Sequence, residues 1–224
     1  MGEATSNFEK FVKQFIEMRA VDHRYASFDY CFNYFQRQQC YSDDMEKSCM
    51  MLGFYLASWG MYRGSSFILQ KSASVFIPLI EYFESLDRSI RSIDVDAYGN
   101  DGIEKILEVY HKTSEVLIPS NHKAITLSTK ILLGVFGFVP AYDSYFCKTF
   151  RSLYSGTCAF RSINKKSLSC IFDFYQENQK AIDQLSKNTF TADFCTGAKT
   201  DIKYPKAKII DMYGFTAGQQ FNDK

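Results

Sequence analysis

Apolar side chains return every three or four residues through most of this chain, the spacing that gathers them on one face of an α-helix. Phe8, Phe11, Val12, Phe15, Ile16 and Met18 predict a helix over 7–19, with Ser6 or Asn7 as N-cap and Glu9 in its first turn. Tyr25, Phe28, Tyr30, Cys31, Phe32, Tyr34 and Phe35 predict an aromatic-faced helix over 25–39. Ser42-Asp43-Asp44-Met45-Glu46 then offers cap chemistry for a helix over 45–59. Residues 64–90 read as one or two more helices, with Pro78 early in the second. Asp94–Gly102 reads as a long turn, and a helical period resumes at Ile103–Leu117 until Ile118-Pro119-Ser120-Asn121 breaks it. Further helices are predicted over 122–136 and 165–187. Residues 190–224, rich in Thr, Lys and Gly, read as a loop-rich tail with one short element at Ile209–Tyr213.

Strand-like alternation is scarce and no period of about 20–50 residues repeats. The expectation is an all-α fold: one mainly helical domain over 1–224, with N-terminal helices in a lobe of about 1–100 and a second lobe at about 101–190.

Composition narrows the function classes. With 46% hydrophobic and 17% aromatic residues, 224 residues suffice for a proper core. A formal charge of +1 excludes a global basic field, although residues 149–224 hold 11 basic against 7 acidic side chains. Seven cysteines without a Cys-x-x-Cys pair, beside three histidines, argue for thiols in a reducing compartment and against a zinc site or disulfide scaffold. The N-terminus lacks an apolar run behind basic residues, and Gly, Ser or Pro interrupts each apolar segment before about 20 residues. The expectation is a soluble cytoplasmic protein with no cofactor, no metal and no membrane partner.

Two segments carry candidate chemistry. Tyr55–Phe67 holds the only tryptophan, two glycines, Arg63 and the small residues Ser65 and Ser66 where one helix should end. Trp59 and Tyr62 could stack a flat ligand and Arg63 could bind it. Equally, Trp59 could anchor the core and Arg63 could pair with a surface acid. The second segment, Thr126–Asp143, reads as a helix, a tight stop and one carboxylate soon after Pro140. Asp143 could be a reactive acid or simply the N-cap of the next helix.

The stretch 118–145 resembles the helix-hairpin-helix DNA glycosylases. Ile118-Pro119-Ser120-Asn121-His122 stands where their hairpin would be, Thr126 at the helix-start threonine, Ile131–Val135 in the apolar helix and Pro140-Ala141-Tyr142-Asp143 at the ending that carries the catalytic aspartate. Ser120, Asn121 and His122 replace the hairpin glycines, and Ile125 occupies the Schiff-base lysine position, with Lys123 two residues earlier.

What the resemblance implies is a monofunctional glycosylase. It would hydrolyse the N-glycosidic bond of a damaged or modified base flipped out of double-stranded DNA and leave an abasic site. Asp143 would stabilise the oxocarbenium-like transition state. Trp59, Tyr62 and Arg63 would form the base pocket, while Ser120, Asn121, His122, Lys123, Thr126 and Lys130 would contact DNA, joined by Arg151, Arg161, Lys165 and Lys166. Each of those lysines could equally lie on a solvated face. Attack on modified phage DNA is a natural variant. The alternative is a non-enzymatic helical module that binds a protein or small ligand in an aromatic cleft near Trp59. A third reading, a nucleotide-binding or nuclease-like effector using Arg63 and Lys130, lacks a phosphate loop and paired metal-binding acids.

Overall fold

Helix-forming periodicity translates into ten α-helices and one two-stranded antiparallel sheet in the computed structural model, which describes residues 2–64, 66–120, 122 and 124–220. The helices are α1 (Gly2–Met18), α2 (Ser27–Arg37), α3 (Met45–Ser58), α4 (Ile77–Ser85), α5 (Asn100–Leu117), α6 (Ile125–Val135), α7 (Ser144–Leu153), α8 (Lys165–Glu177), α9 (Gln179–Asn188) and α10 (Lys206–Gln220). Between α9 and α10, β1 (Phe190–Ala192) pairs with β2 (Lys199–Lys203). The protein is mainly helical, as its apolar spacing predicts.

Several boundaries moved for identifiable reasons. Between 64 and 76 the chain makes two single-turn 3₁₀ segments, Phe67–Gln70 and Ala73–Phe76, so only Ile77–Ser85 of the region 64–90 is α-helical, with Pro78 in its first turn. The stretch 165–187 divides at Asn178, which closes α8 through its backbone N–H to the Phe174 and Tyr175 carbonyls. Asp44 caps α3 by accepting the Lys47 N–H at 3.1 Å.

The region read as a loop-rich tail holds the central helix of the fold. Helix α10 packs on α7, α1 and α9 and is buried at nearly every position from Ala207 to Gly218. A helix buried all round shows no polar face, so its sequence lacks the periodic signature. Gly218 serves close approach: a Cβ there would stand 2.3 Å from the Tyr145 carbonyl oxygen of α7.

Contacts do not divide the chain near residue 100. Helix α1 packs on α10, while α2, α3 and α6 pack together and α5 joins α4, α6 and α8. One continuous core runs from Phe8 to Phe215. Its polar tie is Asp29 on α2, which accepts hydrogen bonds from Arg19 after α1, from the Tyr204 hydroxyl and from the Ala192 N–H of β1.

Asp94 fixes the start of α10 from a distance in sequence. Its carboxylate accepts the N–H groups of Lys206 at 2.7 Å and Ala207 at 2.9 Å, two of the donors a helix start leaves unpaired. Burial nevertheless dominates, pushing the Asp94 carboxyl up from 3.8 to about 6. The folded state therefore holds this proton more tightly than the unfolded chain. The resulting stabilisation is complete below pH 4 and is lost as pH rises through 6. Relative to Asp94→Asn, the native protein should lose about 2–3 kcal/mol between pH 4 and 7, read from urea denaturation at each pH. A constant difference across that range would contradict the assignment.

Candidate active site

The acid after Pro140 is placed by three grips on the backbone before it. At the start of α6, the Thr126 hydroxyl donates to the Tyr142 carbonyl at 2.8 Å, and the Thr129 hydroxyl accepts the Tyr142 N–H at 2.9 Å. From α10, Asp211 accepts the Ala141 N–H at 3.0 Å. The Asp143 N–H then turns back onto the Ala141 carbonyl at 2.9 Å. Upstream, Gly137 ends α6 in a left-handed conformation, φ 74°, with its N–H on the Leu132 and Leu133 carbonyls. The chain thus reverses and runs back beside the helix it left.

This path brings Asp143 to Lys130. One carboxylate oxygen caps α7 by accepting the Phe146 N–H at 2.9 Å, and the other meets the Lys130 ammonium at 3.2 Å. The N-cap reading of Asp143 is therefore correct, and the cap uses only one of its two oxygens. The side chains are 13% and 5% exposed, so the pair is drawn from water but still opens at Asp143.

Lys130 corrects an expectation, since a residue read as a DNA contact or a solvated lysine lies buried in the cluster. Its ammonium stands 4.5 Å from the centre of the Trp59 ring, a cation–π contact. A second lysine, Lys208 on α10, lies 5.1 Å from the same ring and 2.7 Å from Asp211. Phe15 and Phe28 surround the Lys208 ammonium as well. Burial lowers the Lys208 ammonium below its ordinary value, against the opposing pull of Asp211. Burial also raises the Tyr55 hydroxyl, and Asp211 and Asp143 add to that rise.

These contacts close on themselves. Asp143 holds Lys130, Lys130 and Lys208 lie over Trp59, Lys208 holds Asp211, and Asp211 holds the Ala141 N–H whose own carbonyl holds Asp143. Two buried cations and two carboxylates balance around one indole. Neither charge is left unpaired in low dielectric, where it would cost several kcal/mol.

Trp59 itself is 8% exposed and lies near-parallel to Tyr25, ring centres 5.1 Å apart, with Phe215 edge-on at 5.6 Å. Its ring is packed rather than open for stacking, which corrects the stacking role and favours the core-anchor reading. Among the described residues its buried Nε1–H has no hydrogen-bond partner, an omission costing about 1–3 kcal/mol unless something occupies it. Tyr62 packs back toward Gly53 of α3 and lies half-buried against the core. Arg63 is exposed, forms no ion pair among the described residues, and lies in a groove of about 390 Å³ with Gly60, Met61, Phe67, Thr126 and Leu127.

The hairpin region is a turn between two helices, α5 and α6, closed by the His122 N–H on the Pro119 carbonyl at 2.9 Å. Ser120 and His122 are exposed and line a second groove of about 720 Å³ with Glu115 and Arg161. Asn121 and Lys123 lie outside the described residues, as does Ser65. Thr126 does not offer its hydroxyl outward but spends it on Tyr142. Asp143 lines neither groove.

Lys208, Asp211 and Thr129 are the members that sequence reasoning missed. The available signal was Ala207-Lys208-Ile209-Ile210-Asp211-Met212, opposite charges three apart inside an apolar run, as a buried pair on one helix face requires. Among the described residues no three His, Cys, Asp or Glu side chains could hold a metal, and no helix is long and apolar enough to cross a membrane. No protein-family model, curated protein or solved structure matches the chain.

Lys130→Met removes the cation from this buried pair and should destabilise the protein by about 2–3 kcal/mol. Adding Asp143→Asn should recover part of that loss. Urea denaturation of both single variants and the double variant checks this, and strict additivity would refute the coupling.

Proposed function

We propose that this protein is a DNA glycosylase-like hydrolase that removes a damaged or modified base and leaves an abasic site, with Asp143 as its reactive carboxylate. The observation carrying the reading is the Asp143 side chain held at the start of α7, one oxygen on the Phe146 N–H and the other on Lys130. A carboxylate fixed in direction before the substrate arrives needs no reorganisation when positive charge develops beside it. The turn between α5 and α6, which the resemblance relates to a hairpin on DNA, lies at the head of the same helix that carries Lys130.

In the proposed reaction the flipped nucleotide presents C1′ to Asp143. The C1′–N bond breaks with its electron pair leaving on the base, and the carboxylate stabilises the oxocarbenium-like sugar. Water then bonds C1′ from the exposed side and gives its proton to the Asp143 carboxylate. Lys130 is committed to Asp143 and to the Trp59 ring, so it directs the carboxylate rather than contacting phosphate. Phosphate contacts fall to exposed groups along the two grooves, Arg63 and Arg161 among them.

The second reading, a ligand-binding module without chemistry, draws support from the unpaired Trp59 Nε1–H. Incubation of the purified protein with DNA carrying normal, damaged or modified bases, followed by an assay for abasic sites, separates the two. The glycosylase reading expects abasic sites on one class of DNA and a loss of at least about a hundredfold in Asp143→Asn. Undiminished activity in that variant would remove Asp143 from catalysis. Absence of abasic sites on every DNA, with Trp59 fluorescence still responding to a small ligand, would favour the module.

A further inference from the structure

We infer that Asp211 is a positioning residue that aims Asp143. The inference rests on the reading of Asp143 as the reactive carboxylate. Both Asp211 oxygens are committed, one to the Ala141 N–H at 3.0 Å and the other to Lys208 at 2.7 Å, and its side chain is only 5% exposed. That burial leaves Asp211 without a face for a substrate to reach, whereas Asp143 is 13% exposed.

Its leverage comes from where it holds the chain. Thr126 and Thr129 grip the Tyr142 peptide units from α6 alone. Asp211 grips the preceding unit from α10, the helix on which α7 packs. Asp143 is both the end of the gripped segment and the first turn of α7, so its carboxylate direction depends on α6 and α10 being held in one relation. Asp211 is the side chain that joins them at this point. Lys208 in turn sets Asp211, and lies over the same indole that Lys130 covers, so both carboxylates are referenced to Trp59.

Removing Asp211 alone would leave the buried Lys208 charge unpaired, a loss of stability that would mask any effect on the aim of Asp143, so the test removes both charges together. Lys208→Met with Asp211→Asn keeps the side-chain volume and an oxygen for the Ala141 N–H. Lys208→Met with Asp211→Leu keeps the branched shape in a somewhat larger volume and loses that acceptor. Replacing a buried ion pair by groups of similar volume is commonly tolerated. Three readouts apply to both double variants in the full chain: thermal melting, amide hydrogen exchange of residues 140–144, and the single-turnover rate and KM for abasic-site formation.

The Asn pair should stay within about threefold of the native rate and local exchange. The Leu pair should melt several degrees lower than the Asn pair because its Ala141 N–H is left buried without an acceptor, exchange about tenfold faster at 140–144, and lose about a hundredfold in rate with KM little changed, as expected when a reacting group is misplaced by roughly 1 Å. Equal local exchange, or equal rates, in the two double variants would overturn the positioning role. If no DNA yields abasic sites, the glycosylase reading fails by itself, and the exchange comparison still decides whether Asp211 holds the Asp143 segment.

Discussion

The structure of the site depends on a few hydrogen bonds to the backbone of residues 141–143. A chain leaving α6 through Gly137 could run in many directions, and each ordered residue costs about 1–2 kcal/mol of conformational entropy. Thr126, Thr129 and Asp211 commit it to one path, back along α6 and under α10. Only on that path does Asp143 reach Lys130 and start α7 at the same time. The same grips join the α2, α3 and α6 group to the α1, α7 and α10 group.

Charge balance around Trp59 follows from this placement. Two lysines inside a core would be severely unfavourable alone, and the two aspartates that neutralise them come from the gripped segment and from α10. A pair of ionic contacts referenced to one indole is a poor source of net stability but a good source of specific geometry. An apolar core of equal volume would hold the helices together without defining where a carboxylate points. In the proposed reaction that direction is what the buried charges supply.

The helical class of the fold was legible because α1, α2, α5 and α6 place their apolar residues at helical spacing. Asp143 was legible as a cap and as a candidate acid from its position after Pro140, and it serves as the first. What surrounds it was not legible. Helix α10 read as loop because a helix buried on all sides shows no amphipathic period, and Gly218 there marks close packing against α7. Lys130 read as a surface lysine because sequence carries no sign that the returning 138–143 segment would cover it. Trp59 and Arg63 are neighbours in sequence, yet one is packed in the core and the other exposed in a groove, since the chain turns at Gly60 between them.

A fixed carboxylate that favours a cationic transition state must also favour a stable cation of the same shape. The most direct measurement is the affinity of the protein for two DNA duplexes, one carrying a protonated pyrrolidine in place of the target sugar and one carrying a neutral tetrahydrofuran. A fixed reactive Asp143 requires that the native protein bind the cationic duplex at least about tenfold more tightly and that Asp143→Asn bind the two alike. Equal binding of both duplexes by the native protein would contradict it.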